Sequence, residues 1–400
     1  MPVAPRLFQE RTPREINATS FFRRFLSVTN LPLLFVAAAL VVYGLVVVYS
    51  VVEGDPDYSF TRQASGVLIG FILMCALWWF DYRKLASMAF PLLIVSVILI
   101  LLPLIPGIGL ELFGSKSWIL IFNQQLQPGE FAKPLIILYA AALIARYEGR
   151  LNSGLEYLKV LALLMIPVIC VLLQPDIGTA LVFFVIGMVV LFAGGANRKW
   201  LLITAISIVV LIVGVVVLDG VLDNALGRDV LIKDYQKNRI LVFLNADIDP
   251  TGIGWQLNQA KIAIGSGGLM GKGFGNAPQA LLGFLPETPT DFIFCVLAEQ
   301  FGFVGSLALI GLYVILFFVI LRIAFAANNH FGALITVGIL GMWVFHVFEN
   351  IGMTCGLMPI TGIPLPFMSY GSSFMVTNFI VLGLLCSVWA HRNTKKRSKG

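Results

Sequence analysis

Leu31-Pro-Leu-Leu-Phe-Val-Ala-Ala-Ala-Leu-Val-Val-Tyr-Gly-Leu-Val-Val-Val-Tyr-Ser-Val-Val52 decides how the rest of the chain is read. It carries no charge, and at about 1.5 Å per residue a helix of this length crosses the roughly 30 Å hydrocarbon core of a bilayer. The preceding residues, 1–30, are polar and basic, with Arg6, Arg11, Arg14, Arg23 and Arg24. They are too long and too charged for a cleavable leader, so the apolar run reads as a retained first helix. Composition agrees: 58% of residues are hydrophobic, 12% are charged, and mean hydropathy is +0.92. Soluble domains carry about twice that share of charge. The expectation is an all-α integral membrane protein.

Further apolar runs lie at 64–80, 85–105, 131–147, 160–173, 180–194, 201–218, 303–324, 331–353 and 374–390. With the first they make about ten transmembrane helices. Five regions follow: a cytoplasmic segment 1–30, helices 1–7 over 31–218, a large extracytoplasmic loop 219–291 between helices 7 and 8, helices 8–10 over 292–390, and a basic cytoplasmic tail 391–400. Placing the N-terminus inside puts 18 of the 27 Lys and Arg residues on the cytoplasmic side. Six of the remaining nine fall in the long loop, which is largely exempt from the positive-inside rule. Both termini are then inside. Segments 53–63, 106–129, 219–291 and 354–373 share the outer face with the corner Gln174-Pro-Asp-Ile-Gly-Thr179, and the distinctive sequence is concentrated there.

Several function classes drop out. The net charge of +6 comes from cations at the ends of apolar runs, not clustered with exposed aromatics, so nucleic acid is not an expected partner. The five cysteines are scattered without a C-x-x-C pair and read as buried apolar residues. His330, His346 and His391 have no ligand-like spacing, so no zinc site is expected. The absence of a fixed-period repeat weighs against carriers built from detectable inverted repeats.

Gly265-Ser-Gly-Gly-Leu-Met-Gly-Lys-Gly-Phe-Gly275 resembles a phosphate loop only superficially. Ser266 stands where the Walker pattern needs Gly, Gly273 where it needs Ser or Thr, and Met270 breaks the dinucleotide fingerprint. A tightly turned backbone against the membrane is the main reading, and a row of N–H groups around an anionic head group is the weaker one. Arg239, in Asp234-Tyr-Gln-Lys-Asn-Arg239, suits a diphosphate because its planar fork is bidentate and permanently charged; the alternative is a lipid-surface face. Glu130 and Lys133 are three apart at the start of a span, which allows either a structural ion pair or a functional one. Asp176 is a helix cap or a site residue. Glu287 and Asp291 close the long loop in Leu285-Pro-Glu-Thr-Pro-Thr-Asp-Phe-Ile-Phe294. Asp291 at the loop–membrane junction is either an N-cap or a general base whose pKa desolvation would raise.

Taken together, these segments resemble the SEDS peptidoglycan glycosyltransferases, the RodA and FtsW type. The matching segments run in family order: Gln127-Pro-Gly-Glu-Phe-Ala-Lys133, Gln174-Pro-Asp-Ile-Gly-Thr179, Asp234-Tyr-Gln-Lys-Asn-Arg239, Asp249-Pro-Thr-Gly252, Gln259-Ala-Lys-Ile-Ala-Ile-Gly-Ser-Gly-Gly268, Phe284-Leu-Pro-Glu-Thr-Pro-Thr-Asp-Phe-Ile-Phe294 and Gly362-Ile-Pro-Leu-Pro-Phe-Met-Ser-Tyr-Gly371. Leu297-Ala-Glu-Gln-Phe-Gly-Phe-Val-Gly305 and the short tail resemble the elongation type, RodA, more than the division type. The sequence departs from the family pattern at Pro289, where a histidine is usual, and at Ser372, where a glycine is usual.

The resemblance implies an inverting glycosyltransferase that polymerises lipid II on the outer face of the bacterial cytoplasmic membrane, for elongation and cell shape. It makes Asp291 the catalytic base. It makes Lys133, Glu130, Arg239, Trp118, Glu287, Lys261 and Ser369 substrate-binding candidates, with Arg239 and Lys133 meeting the diphosphate and Glu130 orienting Lys133. A divalent cation, Mg or Mn, is a possible cofactor without assigned ligands. The implied protein partner is a class B penicillin-binding protein with transpeptidase activity. A flippase for the same lipid-linked precursor and a non-catalytic scaffold of a synthase complex are the rival functions.

Overall fold

The computed structural model describes residues 28–53, 58–112, 115–121, 124–149, 151–226, 234–245, 248–285 and 287–392. Most of the 1–30 segment, the tail after Arg392, Pro286 and part of the 219–291 loop therefore lie outside the described residues.

Helix α1, Leu31–Val52, starts where Asn30 accepts a hydrogen bond from the Leu33 N–H at 3.1 Å and Pro32 occupies the first turn. Its Leu33, Val36, Ala37, Leu40, Val41, Gly44, Val47 and Val48 face inward at helical spacing, while Phe35 and Val42 are exposed. An outward apolar stripe is the signature of a lipid-facing helix rather than a solvated one. The other principal helices are α2 (Phe60–Trp79), α3 (Ala89–Leu101), α4 (Pro128–Ala145), α5 (Gly154–Leu172), α6 (Ile177–Ala193), α7 (Arg198–Leu226), α8 (Asp234–Leu244), α9 (Ile253–Ser266), the single turn α10 (Pro278–Leu281), α11 (Ile293–Ala326), α12 (His330–Cys355) and α13 (Ser372–Ala390). Among the described residues eight helices are long and apolar enough to cross a membrane, and two more apolar helices, Ala89–Leu104 and Ile177–Ala193, are shorter. Every apolar run read from the sequence falls on one of these helices. The protein is a mostly helical membrane protein.

Two features differ from expectation. Segment 106–129 is not a plain loop in an all-α chain: it forms a three-stranded antiparallel sheet, β1 (Gly109–Leu112), β2 (Ser115–Ile121) and β3 (Gln124–Leu126), in the order β1-β2-β3. Alternation explains it, since Ser117 and Ile119 are buried while Lys116 and Leu120 are exposed. Trp118 pairs with Leu110 across β1 and β2. Secondly, α7 continues past 218 to Leu226.

The connections α1–α2, α3–α4, α5–α6, α7–α11 and α12–α13 meet on one face. Tyr58 reaches Glu287, Ser115 reaches Gln174, Gln127 reaches Asp176, and Asn350 near the C-terminal end of α12 reaches both Asp291 and Ile363. Asp176 itself caps α6, accepting from Thr179 N at 3.0 Å and Thr179 Oγ1 at 2.8 Å.

Helix α11 is two helices joined at Gly302, whose φ of 66° and ψ of −159° are not helical. The break releases backbone groups, and the glycine-rich segment takes them up. Lys272 N donates to Glu299 O, Gly273 N to Gln300 O, Phe303 N to Gly268 O and Val304 N to Leu269 O, at 2.9–3.1 Å. Any side chain at Gly302 would collide with the Gly271 backbone. Lys272 Nζ then pairs with the buried Glu299 Oε1 at 2.6 Å. The N–H groups of Lys272 and Gly273 are thus committed to the chain itself. That favours the turned-backbone reading of 265–275 over a head-group cradle.

Candidate functional site

The turn before α11 is held from several sides. Glu287 adopts φ 53°, and its carbonyl accepts from Thr290 N at 3.2 Å and Asp291 N at 3.0 Å. Its carboxylate receives Tyr58 Oη at 3.0 Å and Thr290 Oγ1 at 3.2 Å. Thr288 Oγ1 donates to the Leu285 carbonyl. The 362–371 loop grips the same turn: Tyr370 N donates to Pro289 O at 2.8 Å, and Ser369 Oγ donates to Thr290 O at 2.6 Å while accepting from Leu365 N at 2.8 Å. Pro289 therefore contributes a carbonyl to loop docking. Asn350 Nδ2 closes the frame, donating to Asp291 O and Ile363 O, both at 2.9 Å.

Asp291 does not cap α11. The N-cap position is Phe292, with no side-chain cap bond. The Asp291 carboxylate instead stands against Gly362, where a Cβ would lie 3.0 Å from Oδ2. Burial pushes its carboxyl up to about 7, the neighbouring Glu287 charge adds to the rise, and Arg239 and a Thr290 hydrogen bond oppose it. Arg239, carried by α8, also acts electrostatically on Glu349 of α12. A carboxylate tuned near neutrality beside one guanidinium can take a proton and stabilise an anion in the same place.

The Glu130–Lys133 pair sits under this frame. Lys133 Nζ is 2.6 Å from Glu130 Oε1, and the residues are 2% and 4% exposed. The ammonium lies 5.4 Å from the Phe374 ring centroid and interacts electrostatically with His346. His346 stacks on Phe374 at 5.6 Å, with Nδ1 3.2 Å from the Pro364 carbonyl. Four buried polar atoms along this seam lack a hydrogen-bond partner among the described residues: Glu130 Oε2, His346 Nε2, Glu349 Oε2 and Asn350 Oδ1. Each such atom costs about 1–3 kcal/mol.

The structure thus gathers Asp291, Glu287, Arg239 and Ser369 into one cluster, with Glu130 and Lys133 in the seam beneath it. Trp118 is half-buried on β2, and Lys261 is an exposed residue of α9 whose ammonium lies over Gly356 at the end of α12. Glu349 and Asn350 were missed in the sequence reading. The available signal was an ionisable residue inside the apolar run 331–353, where a charge is costly. Among the described residues no group of three or more His, Cys, Asp or Glu side chains could hold a metal ion.

A bundle of membrane-crossing helices whose connecting loops converge on a partly buried carboxylate and a guanidinium defines a polytopic membrane protein with a polar site at one face. More specifically, the chain belongs to the FtsW/RodA/SpoVE family, described as cell cycle proteins, which it matches over residues 26–394. It is 36% identical over 371 residues to the probable peptidoglycan glycosyltransferase FtsW of Trichlorobacter lovleyi, covering 90% of this chain and 93% of that protein. It is 34% identical over 369 residues to the peptidoglycan glycosyltransferase MrdB of Escherichia coli K12, covering 92% and 95%. A chain from a solved peptidoglycan synthase complex that coordinates polymerization and crosslinking superposes with a TM-score of 0.73 at 30% identity, covering 91% of this chain and 99% of that one. The rod shape determining protein RodA of Thermus thermophilus superposes with a TM-score of 0.65 at 29% identity, covering 91% and 97%.

Proposed function

We propose that this protein is a peptidoglycan glycosyltransferase that polymerises lipid II, an undecaprenyl-diphosphate-linked disaccharide-pentapeptide, into glycan strands. The observation that carries the proposal is the Asp291 carboxylate at the turn before α11, which faces the Gly362 backbone, is raised to about 7 by burial and interacts electrostatically with Arg239. Relatives named as peptidoglycan glycosyltransferases support the same activity.

In the proposed step an acceptor sugar hydroxyl attacks the anomeric carbon of the donor. The new O–C bond forms as the bond from that carbon to the diphosphate oxygen breaks, which inverts the centre. The hydroxyl proton passes to Asp291. The departing lipid diphosphate carries the charge that Arg239 meets with its fixed fork. Glu130 holds Lys133 in place in the seam below, where the pair offers a net-neutral polar contact. Glu287, already bonded to Tyr58 and Thr290, braces the turn rather than reacting. No step is assigned to a metal ion; a polymerisation assay with and without chelator tests that assignment.

The cation distribution supports placement in the bacterial cytoplasmic membrane with both termini inside and the site outside. The likeness to a synthase-complex chain supports a transpeptidase partner of the class B penicillin-binding type. The elongation role rests on the RodA-like segment 297–305, while relatives named FtsW and MrdB are both close in identity.

Asp291→Asn tests the central claim. It keeps the shape and removes the base, so purified, folded variant supplied with lipid II in detergent is expected to form no polymer. Near-normal polymerisation would refute the assignment. Polymer formation by the parent without a sealed membrane separates synthesis from lipid transport.

A further inference from the structure

The buried residues of α2 are Gln63, Gly66, Gly70 and Met74, one stripe at helical spacing. The two glycines bring the helix close against α13. A Cβ at Gly66 would stand 2.8 Å from the Ser372 Cα, and one at Gly70 would stand 2.7 Å from the Phe379 ring. This approach sets the first turn of α2 beside residues 369–371, which lead into α13. Gln63 is 0% exposed. A buried amide is costly unless both its ends are paired, and here both are. Nε2 donates to the Ser369 carbonyl at 3.3 Å, and Oε1 accepts from the Gly371 N–H at 2.9 Å.

The same three residues carry the turn before Asp291. Tyr370 N donates to Pro289 O at 2.8 Å, and Ser369 Oγ donates to Thr290 O at 2.6 Å. The Tyr370 hydroxyl returns to the start of α2, accepting from Ser59 N at 3.2 Å and donating to Ser59 O at 3.3 Å. Tyr58 stands edge-on to the Tyr370 ring at 5.1 Å and donates to Glu287 Oε2 at 3.0 Å. The start of α2 therefore reaches the turn twice. Tyr58 holds residue 287 directly, and Gln63 holds residues 289 and 290 through the loop.

We propose that Gln63 is a positioning residue for glycosyl transfer, which by clamping residues 369–371 sets where the turn holds the Asp291 carboxylate. The proposal rests on Asp291 being the base. An amide supplies one donor end and one acceptor end on a single plane. That matches the carbonyl and the N–H that flank Tyr370, much as a neighbouring strand would pair with them. Methionine has the same length but offers neither bond. Gly371, at φ 143°, has no side chain to hold its own path, so its N–H depends on the Gln63 oxygen. Without the clamp the loop is free to shift, and the carbonyls of Pro289 and Thr290 shift with it. Asp291 follows Thr290 directly, so its carboxylate leaves the line of attack.

The test is steady-state polymer formation from lipid II by the purified full chain in detergent, with kcat taken per folded protein. Gln63→Met is expected to lower kcat about 10-fold and to leave KM for lipid II within about 2-fold, since no group that meets substrate is lost. Ser369→Ala cuts the next link of the same chain. The double variant is therefore expected to lose no more kcat than the worse of the two single variants. Losses that multiply, to about 100-fold, would show that Gln63 does not act through the loop and would overturn the proposal. An unchanged kcat, or a raised KM alone, would overturn it too. Tyr370→Phe removes the tie to Ser59 and serves if Gln63→Met does not fold: a lower kcat at constant KM supports the clamp, and an unchanged kcat overturns it. Asp291→Asn is run alongside. If it polymerises normally, the base assignment fails and the role of Gln63 with it. If it is inactive while Gln63→Met keeps its full kcat, only the role of Gln63 fails.

Discussion

Gly362→Ala probes the site through its backbone wall. Gly362 has φ +76°, a left-handed conformation that costs an L-residue about 1–2 kcal/mol. The new methyl would also stand 3.0 Å from Asp291 Oδ2, against ordinary contacts that begin near 3.4 Å. The carboxylate, or the loop bearing residue 362, must then yield by about 0.4 Å. A misplacement of about 1 Å near reacting atoms can cost about 100-fold in rate, so a shift of this size is expected to cost about 10-fold. Gly107→Ala supplies the comparison. Gly107 has φ +86° but nothing within 4 Å of its would-be Cβ, so it carries the backbone cost without the contact. Both variants should lose about 1–3 °C in thermal midpoint. Only Gly362→Ala should lose the larger part of its initial rate of polymer formation. Equal activity in the two variants would refute the idea that the Gly362 wall sets the position of Asp291.

Two further outcomes are expected. With the Asp291 carboxyl raised from 3.8 to about 7, activity should climb with pH and reach half its plateau near 7. The sign for stability is opposite, because the folded state binds this proton more tightly than the unfolded one. The group's contribution is fully present below about pH 4 and is lost as pH rises to about 7, so a profile in which rate and thermal midpoint rise together would contradict it. Lys133→Met should cost about 3–5 kcal/mol in an unfolding measurement, since it strands the buried Glu130 charge 2.6 Å from its lost partner. Glu130→Met combined with Lys133→Met should recover most of that loss, whereas strictly additive losses would show that the pair does not couple.

The helices were legible because apolarity is a local signal. Leu31–Val52 begins and ends as read, with Asn30 and Pro32 marking its start, and the run at 303–324 begins where Gly302 interrupts α11. The sheet at 109–126 was not legible. Its alternation covers only a few residues and was subordinate to a helical expectation. Asp291, Arg239 and Ser369 came from recognisable segments, yet Pro289 gained a meaning only when its carbonyl met Tyr370. Glu349 needed the fold. Its partner Thr361 and its neighbour Asp291 are brought to it by two separate loops, and no periodicity in one stretch encodes that meeting. The glycine-rich 265–275 segment shows the same limit: its composition announced close backbone approach, but not that α11 was the backbone approached.

The break at Gly302 divides α11 into a membrane-length helix and a short segment that leads back to Asp291. Residues 303–326 alone extend about 36 Å as a helix, enough to cross about 30 Å of hydrocarbon. The part of α11 on the other side of Gly302 adds up to about 13 Å, and Asp291 comes two residues beyond it. With the site on the outer face as proposed, the carboxylate is expected at the level of the lipid head groups rather than the acyl chains. In the proposed reaction a sugar carried on a lipid tail would meet it with the tail still seated in its leaflet, the bilayer then serving as the track along which donor and growing strand are brought into line.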